Sequence, residues 1–150
     1  MSDPLFSLSG KVALVTRGTS GIGHIIATGL CERGVRTYVT GRELASAESV
    51  AAGIVAETGG GCFGLAADLS DPASPEALGA ALGQREGVLH LLGNNAGANA
   101  PGSLADCTPA AWDMIMEVNV RGAFFLASSS CRCSRRGRVA AIRRGSSTWA

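Results

Sequence analysis

The stretch that most constrains this chain is Lys11-Val12-Ala13-Leu14-Val15-Thr16, followed at once by Arg17-Gly18-Thr19-Ser20-Gly21-Ile22-Gly23. The first six residues are a short, apolar, β-branched run of the kind buried on both faces of a parallel sheet. The glycine-rich turn then opens a helix expected over Ile22–Arg33, with Gly34 as its stop. A strand running through such a turn into a helix leaves free N–H groups and a positive dipole end where a phosphate can sit. A purely structural turn would read the same way, so the rest of the chain has to decide.

Downstream, strand and helix keep alternating. Val35–Thr40 reads as a strand and Leu44–Thr58 as an alanine-rich helix ending in Gly59-Gly60-Gly61. Cys62–Ala67 is a third strand closed by Asp68, Pro75–Arg85 a third helix, and Val88–Gly93 a fourth strand running into Asn94-Asn95-Ala96-Gly97. Thr108 is suited to cap a long helix from Pro109 to about Ala127. Short connections between alternating elements predict right-handed βαβ units, an α/β fold with a doubly wound parallel sheet of about four strands. The 150 residues suffice for one domain with a modest core.

The net charge of +1 argues against a broad electrostatic surface for nucleic acid or membrane. Five cysteines (Cys31, Cys62, Cys107, Cys131, Cys133) are odd in number and lack zinc-ligand spacing, so free thiols in a reducing compartment are expected and no metal site. Met1–Gly10 is too polar and short for a signal peptide, and no run reaches the roughly 18 apolar residues of a membrane span. The expected location is cytoplasmic.

Several segments together carry a family resemblance. Thr16-Arg17-Gly18-Thr19-Ser20-Gly21-Ile22-Gly23 resembles the T-G-x-x-x-G-x-G fingerprint of the short-chain dehydrogenase/reductases. Asp68-Leu69, Asn94-Asn95-Ala96-Gly97 and Asn119-Val120-x-Gly122-x-Phe124 match three further family motifs, in order and at the right spacing. The opening Pro4-Leu5-Phe6-Ser7-Leu8-Ser9-Gly10-Lys11 is most similar to the 3-oxoacyl-carrier-protein-reductase branch, which includes rhamnolipid 3-ketoacyl reductases. The resemblance implies a Rossmann-like sheet and ketone/alcohol interconversion with a nicotinamide dinucleotide. It assigns cofactor binding to Thr16, Gly18, Ser20, Gly21, Ile22, Gly23, Asp68, Leu69, Asn95, Ala96 and Gly97, and a catalytic role to Asn119. Gly41-Arg42 stands where NAD-users of the family place an Asp, and Arg42 can pair with a 2′-phosphate, so NADP is expected over NAD. A solvated loop arginine is the alternative reading of Arg42.

Two departures stand against the family pattern. Arg17 occupies the first fingerprint glycine, where a left-handed backbone would cost a side chain about 1 kcal/mol or more. It is either a lesion that crowds the adenosine side of the pocket or an arginine that reaches the phosphates. The family's chemistry also uses a Tyr and, four residues on, a Lys. Here the one tyrosine is Tyr38 and the one lysine Lys11, both in expected strands. Without that proton donor the chain is expected to be inactive.

Composition breaks after about Leu126, and Arg132–Arg144 carries six arginines and no acid. The chain therefore divides into a nucleotide-binding portion, 1–127, and an irregular arginine-rich tail, 128–150. Read one base out of frame, Cys131-Arg132-Cys133-Ser134 can encode Leu-Pro-Leu-Leu, and Gly145–Ala150 can encode Val-Ile-Asn-Val-Gly, both family-like. In-frame, Gly137–Ile142 reads as a poor fifth strand with Ser146 or Ser147 nearby. Either way the expected chain is the truncated front half of the family fold, without the helices of the family's homo-oligomer interface and with the fourth strand as an apolar sheet edge. Three functions follow: an oxidoreductase acting on a small-molecule ketone, a non-catalytic nucleotide-binding remnant, or an interaction module using the basic tail.

Overall fold

The computed structural model describes residues 6–136. Four strands, β1 (Val12–Val15), β2 (Arg36–Gly41), β3 (Cys62–Ala66) and β4 (Leu91–Gly93), form one sheet in the order β3-β2-β1-β4. Every pairing is parallel, with Leu14 opposite both Tyr38 and Leu92. Helices α1 (Gly21–Cys31), α2 (Leu44–Thr58) and α3 (Ser74–Glu86) make the crossovers, and α4 (Pro109–Met116) and α5 (Ala123–Arg136) follow.

Alternation along the strands divides the core in two. Val12, Leu14, Tyr38 and Leu65 face α3 and α5, where Leu78, Leu82 and Leu126 meet them. Val15, Val39 and Cys62 face α1 and α2, packing on Ala27, Cys31, Ala51 and Ile54. The second layer is thin because small residues let backbones touch. A Cβ on Gly64 would lie 2.7 Å from the Ala47 carbonyl oxygen, so α2 rests directly on β3. In this layer burial pushes the Cys62 thiol up to about 12, and the neighbouring Cys31 adds to the shift. Both thiols are free and buried.

Helix α2 has the bounds that its sequence predicts, and Gly59 ends it in the left-handed conformation, φ 69°. Helices α1 and α3 and strands β2 and β3 lie within two residues of their expected bounds, and two elements differ by more. The fourth strand is three residues long rather than Val88–Gly93, because an imidazole replaces a carbonyl in its ladder. The Val12 N–H donates to His90 Nδ1 at 2.9 Å, while the His90 N–H donates to the Val12 carbonyl. Strand β4 lies at the sheet edge among the described residues.

The helix expected over Pro109–Ala127 begins as predicted, with Thr108 Oγ1 accepting from the Ala111 N–H. It then passes through a π-helical turn, Glu117–Gly122, and α5 runs on to Arg136. Over Ser128–Arg136 the tail is therefore helical rather than irregular. Serines are weak helix formers, and tertiary packing overrides their propensity here. Ser129 and Ser130 are buried, and Ser129 Oγ donates to the carbonyls of Pro75 and Leu126. Gly79 of α3 makes the room, since a Cβ there would lie 2.6 Å from Ser129 Oγ. The fifth-strand and reading-frame expectations over Gly137–Ala150 lie outside the described residues.

Ile54 is 1% exposed and its neighbour Val55 38%. Ile54→Val is expected to lower the unfolding free energy by about 1 kcal/mol, whereas Val55→Ala should stay within about 0.5 kcal/mol. Urea titrations with equal slopes for the two variants are the check.

Candidate cofactor site

The carboxyl ends of β1 and β4 are tied by one hydroxyl. Thr16 is wholly buried, and its Oγ1 donates to the Gly93 carbonyl (3.2 Å) while accepting from the Asn95 (3.0 Å) and Ala96 (2.9 Å) N–H groups. The Asn95 amide returns the tie, with Nδ2 donating to the carbonyls of Thr16 (3.1 Å) and Arg17 (3.2 Å). From the other side Thr40 holds the same turn, its Oγ1 accepting from the Arg17 N–H and its carbonyl from the Gly18 N–H. The glycine-rich turn is thus fastened to both neighbouring strands.

Its glycines serve close approach. A Cβ on Gly18 would lie 2.7 Å from Val39 Cγ1, and one on Gly23 would collide with the Arg17 carbonyl and the Asn95 amide. Gly21 has φ 56° and nothing within 4 Å of its missing side chain, so its backbone faces open space. Ser20, at the N-cap of α1, makes no side-chain cap bond, and the first turn of α1 holds no acidic residue. The first amides of this helix are thus without a side-chain cap, which is the arrangement an anion needs.

A cleft of about 520 Å³ opens over this turn. Of the expected cofactor residues, it brings together Ser20, Arg42, Asp68, Leu69, Ala96 and Gly97. Thr16, Gly18, Gly23 and Asn95 lie in the supporting layer just described, and Ile22 is exposed at the start of α1. Arg17, Thr19, Thr40, Gly41 and Ser70 also line the cleft, with Ala98, Met114 and Val118 beyond Gly97. Ser70 carries a signal that the motif reading passed over. Asp-x-Ser is an Asx-turn pattern, and here Asp68 Oδ1 accepts from both the N–H (3.0 Å) and the hydroxyl (2.7 Å) of Ser70. Those bonds, with Arg42 as a smaller influence, hold the Asp68 carboxyl below the usual carboxylate range.

Arg17 adopts φ 50°, the left-handed conformation expected of the glycine it replaces. Its guanidinium Nη1 donates to the Gly97 carbonyl at 2.8 Å. Asn119 sits in the π turn and clamps Ala98 at two points: Oδ1 accepts from the Ala98 N–H (2.7 Å) and Nδ2 donates to its carbonyl (3.0 Å). The turn is tied to the strand ends a second time by Arg121, which donates to the Ser70 carbonyl and pairs with Glu117. Tyr38 lies elsewhere, buried in the α3–α5 layer, with its hydroxyl 2.5 Å from Glu86 Oε1. Burial first, and then that bond to Glu86, raises its phenol above the ordinary tyrosine range.

Among the described residues no three His, Cys, Asp or Glu side chains gather to hold a metal ion, and no helix is long and apolar enough to cross a membrane.

The family model described as short chain dehydrogenase matches residues 11–147. The rhamnolipids biosynthesis 3-oxoacyl-[acyl-carrier-protein] reductase of Pseudomonas aeruginosa is 38% identical over 121 residues, covering 81% of this chain and 46% of that protein. The Pseudomonas aeruginosa RhlG/NADP active-site complex superposes with a TM-score of 0.83 at 34% identity, covering 93% of this chain and 54% of that one. A metagenomic short-chain oxidoreductase solved in complex with NADP gives 0.77 at 34% identity, covering 85% and 57%. The chain spans about half the length of the curated relatives it matches.

Because its folded carboxyl is more acidic than an ordinary aspartate's, Asp68 contributes stability that is present above about pH 4 and lost as the pH falls through its folded value. In Ser70→Ala, carboxyl NMR titration should move the Asp68 midpoint up toward the ordinary value, without reaching it because the Ser70 N–H remains.

Proposed function

The chain belongs to the short-chain dehydrogenase family, and we propose that these residues form an NADP(H)-binding unit of an oxidoreductase that interconverts ketones and alcohols. The observation that carries this reading is the uncapped start of α1 opening into a cleft with Arg42 on one wall and Asp68 beside it. When bound, the dinucleotide supplies or accepts a hydride. The residues present fit that group. The first amides of α1 are suited to the pyrophosphate, Arg42 to a 2′-phosphate and Asp68 to the adenine amino group. Thr16 and Asn95 hold the turn in shape, and Asn119 fixes the Ala98 backbone at the far side of the cleft. The solved relatives bound to NADP support the choice of dinucleotide.

The rhamnolipid relative suggests a 3-oxoacyl group as the substrate class for the whole activity. Turnover also needs a proton donor beside the ketone oxygen, and these 150 residues offer no Tyr-x-x-x-Lys pair. Tyr38 does not substitute for one, since it is 2% exposed and engaged with Glu86. We therefore assign binding to this chain and not turnover.

Calorimetry with NADP and NAD tests the assignment. Wild type should prefer NADP, and Arg42→Ala should weaken NADP by about 10- to 100-fold while leaving NAD nearly unchanged. NADPH oxidation with ethyl acetoacetate should stay at the buffer rate. Equal loss of both dinucleotides in Arg42→Ala, or measurable turnover, would contradict the assignment.

A further inference from the structure

One side chain in the cleft is explained neither by the fingerprint nor by the packing beneath it. Arg17 keeps the left-handed backbone of a glycine, φ 50°, and that backbone is fixed by the Thr40 hydroxyl on one side and the Asn95 amide on the other. Its guanidinium reaches away from β2 to the Gly97 carbonyl. In the order β3-β2-β1-β4 the winding reverses between β1 and β4, and at such a switch point open α/β sheets take their ligands. The arginine therefore lies across the crevice from the β1 side to the β4 side.

Its bond there is a modest one. Gly97 offers a neutral carbonyl, and a phosphate oxygen is the stronger acceptor for a guanidinium. Among the described residues the ion pairs are Arg33–Glu32, Arg36–Glu86 and Arg121–Glu117, so no carboxylate holds Arg17. Arg42, the other cation of the cleft, already has the Asp68 carboxylate as a neighbour. A neutral nucleoside that displaces the Arg17–Gly97 bond offers the guanidinium only neutral hydroxyl or ring-nitrogen acceptors. A phosphorylated one replaces it with a charge-assisted bond.

We propose that Arg17 is a phosphate-selecting strap, closing the switch-point crevice to neutral nucleosides and passing its guanidinium from the Gly97 carbonyl to a phosphate oxygen when a phosphorylated nucleotide enters. This rests on the nucleotide-binding reading above and adds to it a specificity-determining residue. The strap accounts for a costly backbone conformation at a residue other than glycine.

The test is calorimetric titration of the full chain with adenosine, 2′-AMP and 5′-ADP. Wild type is compared with Arg17→Gly and with Arg17→Asn, which removes charge and reach while tolerating the left-handed backbone. Wild type should prefer 2′-AMP or 5′-ADP over adenosine by a ratio about tenfold larger than either variant shows. Both variants should bind adenosine at least as tightly as wild type does. Whichever nucleotide loses more identifies the phosphate that Arg17 meets, the 2′-ester or the pyrophosphate. Equal ratios in all three proteins overturn the strap and leave nucleotide binding standing. Uniformly tighter binding by the variants reduces Arg17 to a plug, and uniformly weaker binding to a structural residue; either overturns selection. Absence of binding by all three proteins removes the nucleotide reading and the strap together.

Discussion

The hydroxyl of Thr16 is the point on which the rest of this structure turns. A single buried oxygen donates to one strand-end carbonyl and accepts two N–H groups, and it does so where β1 and β4 part. A buried polar atom that lost these partners would cost about 1–3 kcal/mol, so the geometry of the two strand ends is not free to drift. With Asn95 closing the second half of the tie, the glycine-rich turn inherits its shape from the sheet rather than from its own preferences. That is how a residue other than glycine can stand at φ 50°. Local strain persists where surrounding bonds over-determine it.

The same principle accounts for what the sequence disclosed and what it withheld. Helix α2 was legible to its last residue because alanine-rich periodicity and a run of glycines are local signals. The four-strand parallel sheet followed from alternation alone, and residues in the loops after the strands, such as Asp68 and Gly97, fall in the cleft because open sheets gather their loops there. Strand β4 was read too long because its first rung is made by an imidazole, and no propensity scale anticipates a side chain acting as a carbonyl. The three serines after Ala127 looked like the end of a helix. Ser129 and Ser130 are instead buried, and Gly79, fifty residues earlier in the chain, leaves the space that Ser129 takes. Arg17 was recognisable as a departure, but its partner was not, since Gly97 lies 80 residues away.

Electrostatics separates the two sides of the molecule. At the strand ends, charges are exposed and face an open cleft, with Arg42 near Asp68 and Arg17 on a neutral acceptor. Toward the amino ends of the strands, Tyr38, Glu86 and Arg36 form a compact group, with Arg36 also lying over the Phe63 ring at 4.8 Å. That group satisfies its own charges and fastens the end of α3 to β2. One end of the sheet is consumed by structure, which leaves the other available for chemistry.

The Thr16–Asn95 tie also sets an order of events in the making of the protein. Its halves are 79 residues apart, whereas β1, α1 and β2 lie within the first 41 residues. At roughly 5–20 residues per second of synthesis, Asn95 is made about 4–16 seconds after Thr16. During that interval the first βαβ unit is complete in sequence but has an unclosed glycine turn. The cleft is therefore closed only after the first βαβ unit has been made, although it is built around Thr16.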